Sequence, residues 1–491
     1  MNILFRVDIS INIGFGHFSR CYHLALYLSR FHDVSMVFQN NDNLKIDRYY
    51  TRYINLIEIK SNSNEGVIEK GWLNYDQVND AEISSEYLMK ADMLVLDHYG
   101  LTQNYIDRAR EINTNLKVTV IDDLSNFSLS CDLLVNPNEI MTKSKYIKDG
   151  YEVGRYRIGT QYSIIASEFS RLRNLALQKR NELVKMENLL VCFGSMDPKG
   201  LTLATVKAKL CNVFSHIRIL LDEESPYYLK VKDEVKGDSQ YELLTLQNNV
   251  ADQMLWADFM IGSPGGMSWE RACMALPNAI VSFSNNQKFN SELFLSKGAS
   301  IVIPYNKFNI SKVIYRSVSK VDNKSYHEMA TKNFDICDGF GSERVSISML
   351  REIAMPNFRA LSADDKDMIF KWQNEHNIRK FFSNSESPSK EQHLSWFNGL
   401  SPKKKLNFYI IQVGQIDCGF IRLSSDTDKY IVSVLISNVA QDLGLAKWAL
   451  TKLIERFKGK LRAYININNI ESISAFTKSG FIEVGEGCYE A

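Results

Sequence analysis

No sign of charge prevails in this sequence: 58 lysines and arginines face 57 aspartates and glutamates, a formal net charge of +1 over 491 residues. A chain without a large field of either sign gives no reason to expect nucleic acid or an anionic membrane surface as a partner. Apolar runs long enough to span a bilayer are also missing, so no membrane partner is expected. The eight cysteines are scattered singly, with no C-x-x-C and no His–Cys cluster. That argues against a disulfide or zinc framework and for reduced thiols. The opening MNILFRVDIS holds an arginine and an aspartate and lacks a small-residue cleavage site. No signal peptide is therefore expected, and the cytoplasm is the expected compartment. Repeats of solenoid period and low-complexity tracts are absent too. What is present is 45% hydrophobic and 23% charged, ordinary for a globular protein, in a chain long enough for about three domains.

Up to about residue 155 short apolar runs alternate with helical periodicity. Asn2–Val7, Val34–Phe38, Met93–Leu96 and Val118–Ile121 read as strands. His17–Phe31 reads as a helix with Cys21, Leu24, Ala25 and Leu28 on one face. Near-continuous apolar strands separated by helices predict a parallel sheet covered on both faces. A second such unit is expected over 156–353, with strands at 188–193, 217–221, 241–246, 259–261, 279–283 and 300–303. The helical run ends in a break at Ala354–Asn357. Beyond it, over 358–491, come helices, three close strands (Phe408–Val413, Asp417–Leu423, Tyr430–Ile436), then a helix, a strand and a helix. The expected fold class is α/β: two Rossmann-like domains, then an α+β domain.

Gly14-Phe15-Gly16-His17-Phe18-Ser19-Arg20 lies between the first strand and the first helix. Two glycines allow a tight turn, and a helix N-terminus offers free N–H groups. A dinucleotide fingerprint would need a third glycine where Ser19 stands, and an acidic residue where Gln39 and Asn40 stand. His17 sits at the carboxyl end of a parallel strand, where open α/β sheets bind ligands. A helix N-terminus disfavours the imidazolium, leaving a neutral ring able to act as a base. Position alone leaves a second reading open, a helix-end histidine bonded to a carbonyl.

Arg6-Val-Asp8, Gly14-Phe-Gly-His17 and Arg20-Cys are followed by Leu96-Asp97-His98-Tyr99-Gly100, Ile121-Asp122-Asp123 and Gly159-Thr-Gln-Tyr162. Then come Phe193-Gly194-Ser195-Met-Asp-Pro198, Pro264-Gly265-Gly266-Met-Ser-Trp-Glu270-Arg271 and Asn285-Asn286-Gln287. This ordered set, over residues 1 to about 350, resembles the UDP-2,4-diacetamido-2,4,6-trideoxy-β-L-altropyranose hydrolases of pseudaminic acid synthesis. The resemblance implies a GT-B-like pair of Rossmann-like domains facing across a cleft and a metal-free hydrolase. It makes His17 the base that activates water against the anomeric carbon, expelling UDP. On the substrate side it puts Gly14, Gly16, Arg20, Asp97, Tyr99, Asn286 and Gln287.

In the second unit, Gly194–Gly200 and Gly262–Gly266 are strand-to-helix loops. Backbone N–H groups at Gly194, Ser195, Gly265 and Gly266 can hold a diphosphate without a metal. Glu270, about one turn into its helix, can accept from ribose hydroxyls. The Gly265-Gly266 pair also fits a plain tight connection. Asp122-Asp123 could form a metal pair, but no second ligand cluster accompanies it, so no metal is expected.

Gln441-Asp-Leu-Gly444-Leu-Ala446 joins a strand to a helix, giving small residues and free N–H groups to a pyrophosphate. Asn469-Ile-Glu-Ser472 leads to Phe476-Thr-Lys-Ser-Gly480-Phe481 after an expected strand at Tyr464–Ile467. Together these resemble the GCN5-related N-acetyltransferases (GNAT). Ile369–Asn374 and His393–Phe397 further resemble the amino-sugar acetyltransferase of the same pathway. The resemblance implies acetyl-CoA as cosubstrate, held by Gln441, Gly444, Ala446, Asn469 and Ser472. Phe476 stands where many relatives have a thiolate-protonating tyrosine; Tyr489 is a candidate substitute, and a degenerate binding domain is an alternative.

The leading reading is a bifunctional enzyme acting on a UDP-linked amino sugar and acetyl-CoA. A glycosyltransferase using the same cleft, and a non-catalytic nucleotide-sugar or acyl-CoA binding protein, are its rivals.

Overall fold

The computed structural model describes all residues except 11–12, 41–43, 45, 47, 60–75, 246–248, 284–286, 307, 383–385, 402–403, 406, 427–428 and 458. The chain divides into two compact units, residues 1–346 and 347–491.

The first unit holds two parallel sheets. One contains β1 (Asn2–Arg6), β2 (Asp33–Phe38), β3 (Asn55–Glu58), β4 (Met93–Leu96), β5 (Lys117–Ile121), β6 (Ser130–Asn136) and β7 (Glu152–Ile158). Their order is β3-β2-β1-β4-β5-β6-β7, every pair parallel. The helix Gly16–Leu28 follows β1 and buries Cys21, Leu24, Ala25 and Leu28 completely, the stripe expected from their spacing.

The second sheet comprises β8 (Asn188–Cys192), β9 (His216–Leu220), β10 (Tyr241–Leu244), β11 (Phe259–Gly262), β12 (Asn278–Ser282) and β13 (Ile301–Pro304). Its order is β10-β9-β8-β11-β12-β13, again parallel throughout. Period-two alternation splits these strands between two cores: Leu190, Cys192, Met260 and Ile280 face one, while Leu189, Val191, Ile261 and Val281 face the other. In both sheets the strand order reverses beside the first strand, between β1 and β4 and between β8 and β11. Those reversals open crevices at the carboxyl ends of the strands, where ligands enter such folds.

The second unit carries a mixed sheet of β14 (Asn357–Ala360), β15 (Phe408–Val413), β16 (Ile416–Asp426), β17 (Lys429–Ile436), β18 (Leu461–Tyr464), β19 (Ile482–Gly485) and β20 (Cys488–Glu490). The order is β14-β15-β16-β17-β18-β20-β19, with β17–β18 the parallel pair. Two expectations need correcting here. The break at 354–357 runs directly into β14, a short strand with exposed ends that joins the sheet edge. The strand expected at Tyr464–Ile467 instead ends at Tyr464, because Asn466 turns the chain by accepting from the Asn468 and Asn469 N–H groups. With those adjustments the expected fold class is observed: two Rossmann-like sheets, then an α+β domain.

Candidate functional site

Three places collect the residues singled out above. At the first crevice Gly14 takes φ +74°, a conformation that favours glycine, and starts the turn that brings His17 to the second position of its helix. His17 is buried, and its Nδ1 lies 2.7 Å from Oδ1 of Asp97, which follows β4. Arg20, one turn along the helix, places Nη2 2.6 Å from the same oxygen and Nε 2.5 Å from Oδ2. Burial alone would raise the Asp97 pKa, but Arg20 and His17 hold it well below the usual carboxylate range. An ionised Asp97 is a strong acceptor for an Nδ1–H, the tautomer that leaves a lone pair on Nε2, and Arg20 Nη2 also lies 3.1 Å from Nδ1.

Tyr99 stands edge-on to the His17 ring, with centroids 4.7 Å apart, and its hydroxyl donates to Asp123 Oδ1 at 2.5 Å. Burial and then the Asp123 carboxylate push the Tyr99 pKa well up, keeping the phenol protonated. Gly16 has no atom within 4 Å of where a Cβ would stand, so the loop faces open space. His17, Arg20, Asp97 and Tyr99 are thus brought together. Asp123, read from the sequence only as half of an acidic pair, belongs with them, since Arg20 also reaches it at 3.5 Å. Asp122 does not: it is buried, accepting from the Tyr151 hydroxyl and from the Leu124 and Ser125 N–H groups. Among the described residues no group of three or more His, Cys, Asp or Glu is placed to hold a metal ion.

At the second crevice Gly194 takes φ +93° and, like Gly266, has open space where a Cβ would stand; Gly265 meets only Ser263 Oγ at 3.8 Å. Asp197 caps the helix Leu201–Val206 through the Leu201 and Thr202 N–H groups. The Leu201 and Thr202 N–H groups of that helix are therefore already engaged. Glu270 keeps Oε2 buried with no hydrogen-bond partner among the described residues, and burial pushes its pKa up to about 7. Asn290 links the two halves: it accepts from Asn138 Nδ2 at 2.9 Å and donates to Pro264 O at 3.0 Å. Gln287 accepts from the Phe283 N–H at 3.4 Å. Asn286 lies outside the described residues.

The third place is a cleft of about 1760 Å³ in the second unit, lined by Gln441, Gly444, Ala446, Asn469 and Ser472 among others. Strands β17 and β18 pair only at Tyr430–Leu461 and Ile431–Arg462 and then separate, so Val432–Ile436 line an opening. Gly444 takes φ +70° at the start of the helix Leu445–Arg456, with open space in front of it. The Asn469 side chain caps the helix Ile470–Thr477 by accepting from the Ser472 N–H at 3.1 Å.

Residues 357–482 match the acetyltransferase (GNAT) domain family. This region is a GNAT acetyltransferase domain. In the GNAT domain the splayed strands and the helix end at Gly444 border one cleft. Phe476 lines the cleft and packs on Phe481. Tyr489, a candidate acid on sequence grounds, is 5% exposed in β20, paired with Ala463 and Glu483 and outside the cleft lining. Tyr464, expected from the sequence to open a strand, instead ends β18, lines the cleft and is well exposed.

Over its whole length the chain is similar to an uncharacterised protein of Methanocaldococcus jannaschii, 22% identical across 99% of this chain and 98% of the relative. The region before the GNAT domain is similar to the UDP-2,4-diacetamido-2,4,6-trideoxy-beta-L-altropyranose hydrolase of Campylobacter jejuni, 25% identical over 62% of this chain and all of that enzyme. The first part of the chain is thus related to an enzyme that processes a nucleotide sugar, with an acetyltransferase domain joined behind it. Among solved structures, MurG of Acinetobacter baumannii is 12% identical with a TM-score of 0.48, covering 71% of this chain and 99% of its own.

Proposed function

We propose that the chain is a bifunctional enzyme of nucleotide amino-sugar synthesis, a UDP-sugar hydrolase joined to an acetyl-CoA-dependent N-acetyltransferase. The observation that carries the first half is the His17–Asp97 contact of 2.7 Å at the first crevice. A histidine whose Nδ1 is held by a buried carboxylate presents Nε2 as a base in a fixed direction. In the proposed reaction Nε2 takes a proton from water as its oxygen bonds to the anomeric carbon. The bond from that carbon to the phosphate oxygen breaks, and its electron pair leaves with UDP. Arg20 and Asp123 hold Asp97 and Tyr99 in place around the ring. Gly194, Ser195, Gly265 and Gly266 receive the diphosphate through backbone N–H groups, and Glu270 accepts from the ribose. The similarity to the Campylobacter jejuni hydrolase supports a UDP-2,4-diacetamido sugar as substrate.

Acetyl-CoA supplies the activated acetyl group. The Gly444 turn, with Gln441 and Ala446 beside it, receives the pyrophosphate, and Asn469 and Ser472 border the pantetheine side. The acceptor on this reading is the 4-amino group of the preceding UDP-sugar, because hydrolysis removes the UDP handle that both steps use. The test is incubation of the full chain with the UDP-4-amino sugar, with and without acetyl-CoA, followed by mass spectrometry. The expected result is negligible UDP release without acetyl-CoA and, with it, acetylated UDP-sugar followed by free diacetamido sugar and UDP. Rapid UDP release from the amino sugar alone would overturn the order, and release only with a sugar acceptor would favour a glycosyltransferase.

A further inference from the structure

Arg271 has no part in the reaction above, yet its guanidinium lies beneath the glycine loop of the second crevice. It is 1% exposed. Its Nη2 donates to Ser263 O at 2.9 Å and to Ser268 Oγ at 2.8 Å, spanning the glycine loop from one end to the other. A Cβ on Gly262 would fall 2.4 Å from Cys192 O and 3.0 Å from Arg271 Nη1. Gly262 and Cys192 are register partners at the ends of β11 and β8. The guanidinium therefore lies at the strand-order reversal, beneath the point where both loops, Gly194–Ser195 and Gly265–Gly266, leave the sheet.

What surrounds this cation is incomplete. Neither Nε nor Nη1 has a hydrogen-bond partner among the described residues, and the carboxylate next to it, Glu270, also keeps a buried oxygen without one. A buried charge is costly unless paired, and the ligand-free protein leaves this one with no carboxylate on those two nitrogens. Glu270 acts on it only through space, and an anion on the glycine loops would add countercharge to a buried cation, where Coulomb attraction is strong.

We infer that Arg271 is a specificity-determining residue, whose buried charge makes this crevice select a nucleoside diphosphate over the bare nucleoside. The inference rests on the reading of this crevice as the UDP site. It also explains how two glycine loops can bind a diphosphate when one of the following helices is already capped by Asp197.

The test is calorimetric titration of the full chain with UDP and with uridine. The expected result for Arg271→Gln is a UDP affinity lower by about 10- to 100-fold, the loss of one buried attraction on the diphosphate, with uridine affinity unchanged. Arg271→Lys, which keeps the charge and gives up the clamp on Ser263 and Ser268, should keep the preference for UDP within about threefold of the parent. Equal weakening of both ligands in the Gln variant would overturn the inference, since damage to the loop would not spare the nucleoside. Should the Gln variant fail to fold, the Lys variant decides: a preference that collapses despite the retained charge overturns the inference. A parent chain that binds neither ligand would instead sink the reading of the crevice as a UDP site.

Discussion

His17 Nδ1 and Arg20 Nη2 both converge on the Oδ1 oxygen of Asp97, at 2.7 and 2.6 Å. One buried carboxylate thereby orients a histidine and neutralises an arginine, and the two duties separate on mutation.

Replacing His17 with Asn keeps a polar side chain of similar reach and removes the base. UDP release from the diacetamido UDP-sugar should fall by about 10²–10⁴-fold, with UDP affinity by calorimetry within about threefold of the parent. Turnover near the parental rate would reduce His17 to a structural helix-end residue.

Asp97→Asn should cost more stability than His17→Asn, because Arg20 loses its closest countercharge while largely buried. Breaking such a pair is worth about 3–5 kcal/mol, visible as a drop in the melting temperature of the first unit. The sign with pH follows from the depressed Asp97 pKa. Its stabilisation is complete above the ordinary carboxylate range and is lost as pH falls below that range towards the lower folded value. The Asn variant should therefore lack this part of the acid-induced destabilisation.

Glu270 behaves oppositely. Its pKa rises from 4.5 to about 7 through burial, so between those values the folded chain binds more protons than the unfolded one. Stability without ligand should fall as pH rises from about 4.5 to 7. Glu270→Gln, a mimic of the protonated acid, should flatten that slope in urea titrations at stepped pH. An unchanged slope would place the titration elsewhere.

Gly444→Glu should abolish acetyl transfer while hydrolysis of pre-acetylated UDP-sugar continues. The φ of +70° already strains any side chain there, and the open space before it receives a carboxylate where phosphates are expected. Loss of both activities would mean general unfolding, checked by far-ultraviolet circular dichroism.

How much was legible in the sequence varied with the kind of signal. Leu189–Val191 and Met93–Leu96 are apolar without interruption, so the central parallel strands could be read directly. The edges were harder: β7 (Glu-Val-Gly-Arg-Tyr-Arg-Ile) and β19 (Ile-Glu-Val-Gly) carry only two or three apolar residues among charged ones and glycine, too short a pattern to set a strand apart from a loop. The glycine turn before His17 was legible because its chemistry is local. The capture of the Tyr99 hydroxyl by Asp123 spans 24 residues and exists only once β4 and β5 lie side by side. Arg271 was hidden for a related reason: an arginine in the last turn of a short helix reads as solvent-facing until it packs beneath two strand ends.

The separation of β17 from β18 after Ile431 and Arg462 has a consequence for what the acetyl donor must look like. Past that point the rim of β17 that faces β18 is half of an unfinished ladder, with no strand paired to it among the described residues. A thin chain carrying amide groups at peptide-like intervals can complete the ladder as a short guest strand. The donor would then be graded by the spacing of its amides as well as by its acyl group: a thioester on a simple alkyl thiol should acylate poorly even at high concentration, while a truncated pantetheine thioester recovers part of the rate.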